Sequence, residues 1–134
     1  MIYYKSGYKY QLDTSYSVIT SIMPKECIDT EFIKLYPNGT LLIRKDYAWD
    51  GPSGPTVDTK NFMRGSLIHD ALYQIIRQGY LPRASRLQAD LELKRICLED
   101  GMSKIRAWWV YHGVRLGGGP AANPKNVKKV QTAP

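Results

Sequence analysis

Residues 60–79, Lys-Asn-Phe-Met-Arg-Gly-Ser-Leu-Ile-His-Asp-Ala-Leu-Tyr-Gln-Ile-Ile-Arg-Gln-Gly, decide how the rest of the chain is read. Projected at about 100° per residue, Phe62, Leu72, Ile75 and Ile76 define one apolar arc. That spacing predicts an amphipathic helix over Lys60–Gln78, with Gly79 placed to end it. His69 and Tyr73 fall inside the arc, and Asp70 lies at its edge.

Two more helices are expected downstream. The second runs from Ser85, a candidate N-cap, to Glu99, where Asp100-Gly101 closes it. Leu87, Leu91 and Leu98 bound one side of its apolar arc, Leu93 and Cys97 the other, and Asp90 lies between them. Gln88, Glu92, Arg95 and Glu99 are read as its solvent face. The third begins after Ser103 and carries Ile105, Trp108, Trp109, Val110 and Val114 before the Gly117-Gly118-Gly119-Pro120 break. The first two are joined by a short connection containing Pro82, so they should pack antiparallel.

Upstream the pattern is that of strands. Tyr8–Leu12 and Tyr16–Thr20 are rich in aromatic and β-branched residues, with Asp13-Thr14-Ser15 as a turn between them. Glu31–Tyr36 and Thr40–Lys45 flank Pro37-Asn38-Gly39, whose Asn-Gly supplies the positive φ angles of a tight reversal. Tyr47 through Pro55 excludes helix and reads as a stiff, sharply bent loop. The expected fold class is α+β: N-terminal antiparallel hairpins followed by three helices, the first two an antiparallel pair carrying the site. A single domain over residues 1–119 and a basic tail over 120–134 complete the expected organisation.

The 134 residues suit one core, and 43% hydrophobic content excludes a disordered chain. No apolar run is long enough for a membrane span, and the N-terminus lacks the apolar stretch of a signal peptide. The expected location is a host cytoplasm or a virion. A net charge of +7 favours anionic partners, although Lys125, Lys128 and Lys129 place much of it in the tail. Two cysteines, Cys27 and Cys97, make neither a disulfide framework nor a cysteine-rich zinc site. A reducing compartment follows as the default.

A carboxylate in the middle of an apolar stripe is costly unless it is paired. The matching stripe of the preceding helix offers His69 and Tyr73 as donors to Asp90. An imidazole held on one nitrogen by a carboxylate keeps the other nitrogen as a base. Asp70 then points toward the Gly/Pro loop, where one carboxylate and backbone carbonyls make a hard oxygen set suited to calcium. Such an ion would polarise an ester carbonyl while the histidine deprotonates water. The competing reading is a buried network that only fixes helix register.

Two resemblances follow from these residues. The stretch from Tyr47 through Tyr73, with Arg64-Gly65-Ser66-Leu67-Ile68-His69-Asp70-Ala71-Leu72-Tyr73, then Ala89-Asp90 and Arg106-Ala107-Trp108-Trp109, resembles an uncharacterised family of bacteriophage and bacterial genomes. It implies a phage context, and with it the alternative of a non-catalytic virion or tail protein bound to other virion proteins. The loop and first two helices are similar to phospholipase A2, above all the disulfide-poor type of parvovirus capsids. That resemblance implies a calcium-dependent phospholipase acting at a phospholipid membrane surface. His69 would be the base, Asp90 and Tyr73 its orienting pair, and Asp70 a calcium ligand. Asp50-Gly51-Pro52-Ser53-Gly54 matches the calcium loop, with carbonyls near Gly51 and Gly54 completing the shell. The secretory enzymes' disulfide lattice is absent, strands replace their N-terminal helix, and Pro52 and Pro55 stiffen the loop.

Other classes fit less well. Metal phosphohydrolases with a His-Asp doublet need a further histidine upstream, and His112, the only other one, is downstream. No specific nucleic-acid motif stands out. Trp108, Trp109 and Tyr111 are read first as packing the third helix on the core. Their alternative reading is a set of rings for a membrane interface.

Overall fold

The computed structural model describes residues 2–5, 10–49 and 60–117. Asp50, Gly51 and Gly54, the remainder of the Gly/Pro loop, and the tail over 120–134 lie outside the described residues. Seven short strands precede three α-helices, which is an α+β chain. The strands and the helices fall in separate compact units.

The strands are β1 (Tyr4–Lys5), β2 (Tyr10–Leu12), β3 (Tyr16–Ile19), β4 (Ile28–Asp29), β5 (Ile33–Leu35), β6 (Thr40–Ile43) and β7 (Ala48–Trp49). They form two antiparallel sheets, in the orders β1-β2-β7 and β3-β6-β5-β4. The Asn-Gly hairpin is β5–β6, with Ile33 opposite Ile43 and Leu35 opposite Leu41, all buried. Gly39 has φ +92, and a Cβ there would stand 2.3 Å from the Thr20 carbonyl oxygen, so both conformation and space require glycine.

Among the described residues, the expected pairing of Tyr8–Leu12 with Tyr16–Thr20 is not made. β2 pairs with β7, and β3 pairs with β6. The backbone of Leu12 is taken by residues far along the chain, its N–H donating to the Tyr47 carbonyl and its carbonyl accepting from the Asp46 N–H, each at 2.8 Å. Ala48–Trp49, read as loop, is therefore strand, and Trp49 is buried.

The helices are α1 (Lys60–Arg77), α2 (Arg86–Glu99), preceded by a 3-10 turn at Arg83–Ser85, and α3 (Lys104–Gly117). Both α1 and α2 end on a glycine with positive φ, Gly79 and Gly101. At each end the glycine N–H and the next N–H turn back onto helix carbonyls: Gly79 to Ile76 and Tyr80 to Ile75, then Gly101 to Leu98 and Met102 to Cys97. These bonds satisfy carbonyls that a helix end otherwise leaves unmatched. Ser85 makes no side-chain cap, whereas Ser103 Oγ accepts from the Arg106 N–H at the start of α3.

Close approach of α1 to α2 decides which face of α2 is buried. A Cβ on Gly65 would lie 2.8 Å from Cys97 Sγ and 3.0 Å from Leu93 Cδ1. The helices thus meet on the Leu93–Cys97 side of Asp90, with Ala89 and Ile96 buried as well. Leu87, Leu91 and Leu98, expected to bound the other side of the buried arc, are exposed. Glu92, expected on the solvent face, is buried and ion-paired to Arg95 at 2.6 Å. On α3 the buried residues are Ala107 and Val110, which join Phe62, Leu93, Cys97 and Met102, with Val114 packed against them. Trp108 and Trp109, read first as core, are instead exposed. Small Ala107 and Val110 occupy the face toward α2, and the large rings fall on the opposite one.

Candidate functional site

Helix α1 brings His69 and Tyr73, one turn apart, to the same side, and their rings stack at 4.1 Å between centroids. Helix α2 places Asp90 opposite them. His69 Nε2 is 2.7 Å from Asp90 Oδ1, and the Tyr73 hydroxyl donates to the same oxygen at 2.5 Å. Asp90 is fully buried, Tyr73 is buried, and His69 retains 8% exposure.

Two arginines that sequence reading did not place here complete the network. Arg115 Nη1 of α3 donates to Asp90 Oδ2 at 2.8 Å. Arg86 Nε donates to the Tyr73 oxygen at 3.1 Å, and its Nη2 donates to the carbonyls of Val114 and Arg115 at 3.0 and 2.6 Å. A signal for Arg86 existed in the sequence: it precedes Asp90 by four residues, which puts the two on one face of α2. Nothing comparable marks Arg115, which comes from another helix.

These contacts set the electrostatics. Burial pushes the Asp90 carboxyl upward, but the bonds from His69, Tyr73 and Arg115 outweigh it and hold the group below its ordinary value. Burial, then the hydrogen bond to the Asp90 carboxylate, pushes the Tyr73 phenol up, so it remains a donor. An ionised carboxylate accepts only, so the Nε2 of His69 carries the proton facing it. The lone pair of the neutral ring is then on Nδ1, which has no hydrogen-bond partner among the described residues. The arrangement can orient an imidazole and present one basic nitrogen.

Asp70 is half-buried on α1, one residue beyond His69 and off the face that meets Asp90. Among the described residues, no three His, Cys, Asp or Glu side chains gather in a way that could hold a metal ion. His112 lies on α3 against Trp108, with ring centroids 4.1 Å apart.

Among the described residues no helix is long and apolar enough to cross a membrane. No family model, curated protein or solved structure matches the chain.

Proposed function

We propose that the helical unit hydrolyses a carboxylic ester of a phospholipid, with His69 Nδ1 as the base that takes a proton from the attacking water. One observation carries this reading: His69 is fixed through Nε2 by a buried carboxylate, while Nδ1 has no partner among the described residues. Asp90 fixes the tautomer and the ring plane and offsets the charge of the imidazolium that forms. Tyr73 and Arg115 keep that carboxylate ionised and stationary. Water adds to the ester carbonyl as its proton passes to Nδ1. Collapse of the tetrahedral adduct returns that proton to the departing alcohol oxygen.

Calcium belongs to this proposal through Asp70, a hard oxygen donor beside His69. The ion takes about six to eight oxygen ligands, and among the described residues no three His, Cys, Asp or Glu side chains gather in a way that could hold one. No step above runs through the metal. When bound, calcium would supply positive charge at the ester oxygen.

Fatty-acid release from mixed phospholipid vesicles, with calcium or with chelator, tests the reading. The wild-type chain should release fatty acid in calcium, and His69→Gln should lower the rate by about a hundredfold or more. Asp70→Asn should raise the calcium concentration required. Absence of release above the His69→Gln background in both conditions refutes it.

A second reading has its own support in Arg115, which ties α3 to the Asp90 carboxylate, and in Arg86, which ties the end of α3 to Tyr73 of α1. A satisfied network across three helices is what a register-fixing device in a virion protein needs. On that reading His69→Gln changes the melting temperature and no reaction rate.

A further inference from the structure

Helix α3 is apolar on two opposite faces. Ala107 and Val110 are buried toward α2, and the outward side carries Ile105, Trp108, Trp109 and Leu116, exposed by 74%, 47%, 66% and 90%. At about 100° per residue these four fall within one arc opposite Ala107 and Val114, together with His112. Trp108 lies against His112, tilted by 48°, and meets Trp109 edge to face, so the rings form one cluster. A shallow apolar depression lies between Lys104, Ile105 and Trp108. Single exposed apolar residues need no explanation, but a continuous stripe along one helix does.

We infer that this face of α3 docks on an anionic phospholipid surface, with Trp108, Trp109, Ile105 and Leu116 entering the headgroup boundary. Charge selects the occupant. Helix α3 has no acidic residue; Arg115 is committed to Asp90, and Lys104 stands exposed beside the stripe, so two copies of the face would bring like charges together. Indole rings prefer the membrane interface, and flanking cations are attracted to acidic headgroups. Ile105 and Leu116 have no π face, which separates this stripe from a base-stacking platform for single-stranded nucleic acid. The ester-hydrolase reading gives the surface its use, while binding is measurable without turnover.

The test uses the full chain carrying His69→Gln, so that vesicles stay intact. The chain has three tryptophans, and Trp49 is buried, so changes on adding vesicles report the two on α3. With vesicles of phosphatidylglycerol and phosphatidylcholine, tryptophan emission should shift to the blue and be quenched by brominated acyl chains. Pure phosphatidylcholine should give a much smaller response, and added salt should weaken binding. Trp108→Ala with Trp109→Ala should lower vesicle partitioning by on the order of tenfold or more. Lys104→Glu, at an exposed position, should lower it by at least about fivefold. No quenching on anionic vesicles overturns the inference. So does equal binding by the double tryptophan variant, a dimer in sedimentation that those substitutions dissociate in the absence of lipid binding, or binding displaced by an oligonucleotide. Vesicle binding by a wild-type chain that releases no fatty acid would keep the surface and remove the hydrolase.

Discussion

Replacing Asp90 separates the network's parts. Its Oδ1 accepts from His69 and Tyr73 and its Oδ2 from Arg115. In Asp90→Ala the His69 N–H loses its acceptor in a nearly closed site. The Tyr73 hydroxyl loses its acceptor too, although it still accepts from Arg86. Arg115, with 31% of its side chain exposed, can reach water. A buried donor without an acceptor costs about 1–3 kcal/mol. Relief from dehydrating the carboxylate offsets part of the loss of the pair, leaving a net destabilisation of about 3–5 kcal/mol. Asp90→Asn keeps a carbonyl oxygen for His69 and Tyr73 and turns its amide toward Arg115, which swings outward. That change should cost about 1–2 kcal/mol. At roughly 3–5 °C per kcal/mol for a chain of this size, the alanine variant should melt about 10–20 °C lower and the asparagine variant about 3–8 °C lower. Urea and thermal melts followed by far-UV circular dichroism read both. Asp90→Ala within about 1 kcal/mol of wild type, or two variants of equal stability, would refute the account of a buried, three-donor carboxylate.

Acid should act through the same group. The folded Asp90 carboxyl is held below its ordinary value, so its contribution is complete above about pH 4 and is lost as pH falls through that value toward the folded pKa. Urea midpoints between pH 7 and pH 3 should therefore fall more steeply for wild type than for Asp90→Asn, and parallel curves would count against the linkage. Gly65→Ala should destabilise by about 1–3 kcal/mol, because its Cβ would stand 2.8 Å from Cys97 Sγ. Cys97→Ala removes that sulfur, so the double variant should lose less stability than the two singles together in a denaturation cycle.

What the sequence revealed was local. Helix ends were marked by Gly79 and Gly101, and the β5–β6 hairpin by Asn38-Gly39, because each requires a backbone conformation that few residues adopt. Asp90, His69 and Tyr73 stood out because polar groups on apolar arcs need one another. Non-local choices were not legible. Both stripes flanking Asp90 are leucine-rich or apolar, and Gly65, by admitting Leu93 and Cys97, settles which one is buried. β2 could have paired with β3 by pattern, but Tyr47 and Asp46 occupy Leu12's backbone groups. Arg115 comes from a third helix at a separation that no periodicity reports, and bulky Trp108 and Trp109 look like core until small Ala107 and Val110 are seen facing α2.

Arg86 has a consequence for motion. Helix C-termini ordinarily fray, since their last carbonyls lack intrahelical partners. In α3 the Val114 and Arg115 carbonyls accept from a guanidinium whose Nε is held on Tyr73. Unwinding the last turn therefore means giving up its bonds to Arg86 of α2 and releasing the Arg115 side chain on that turn from Asp90. The end of α3 should open less readily than a free helix terminus, and its amide hydrogens should exchange more slowly than those of a frayed last turn.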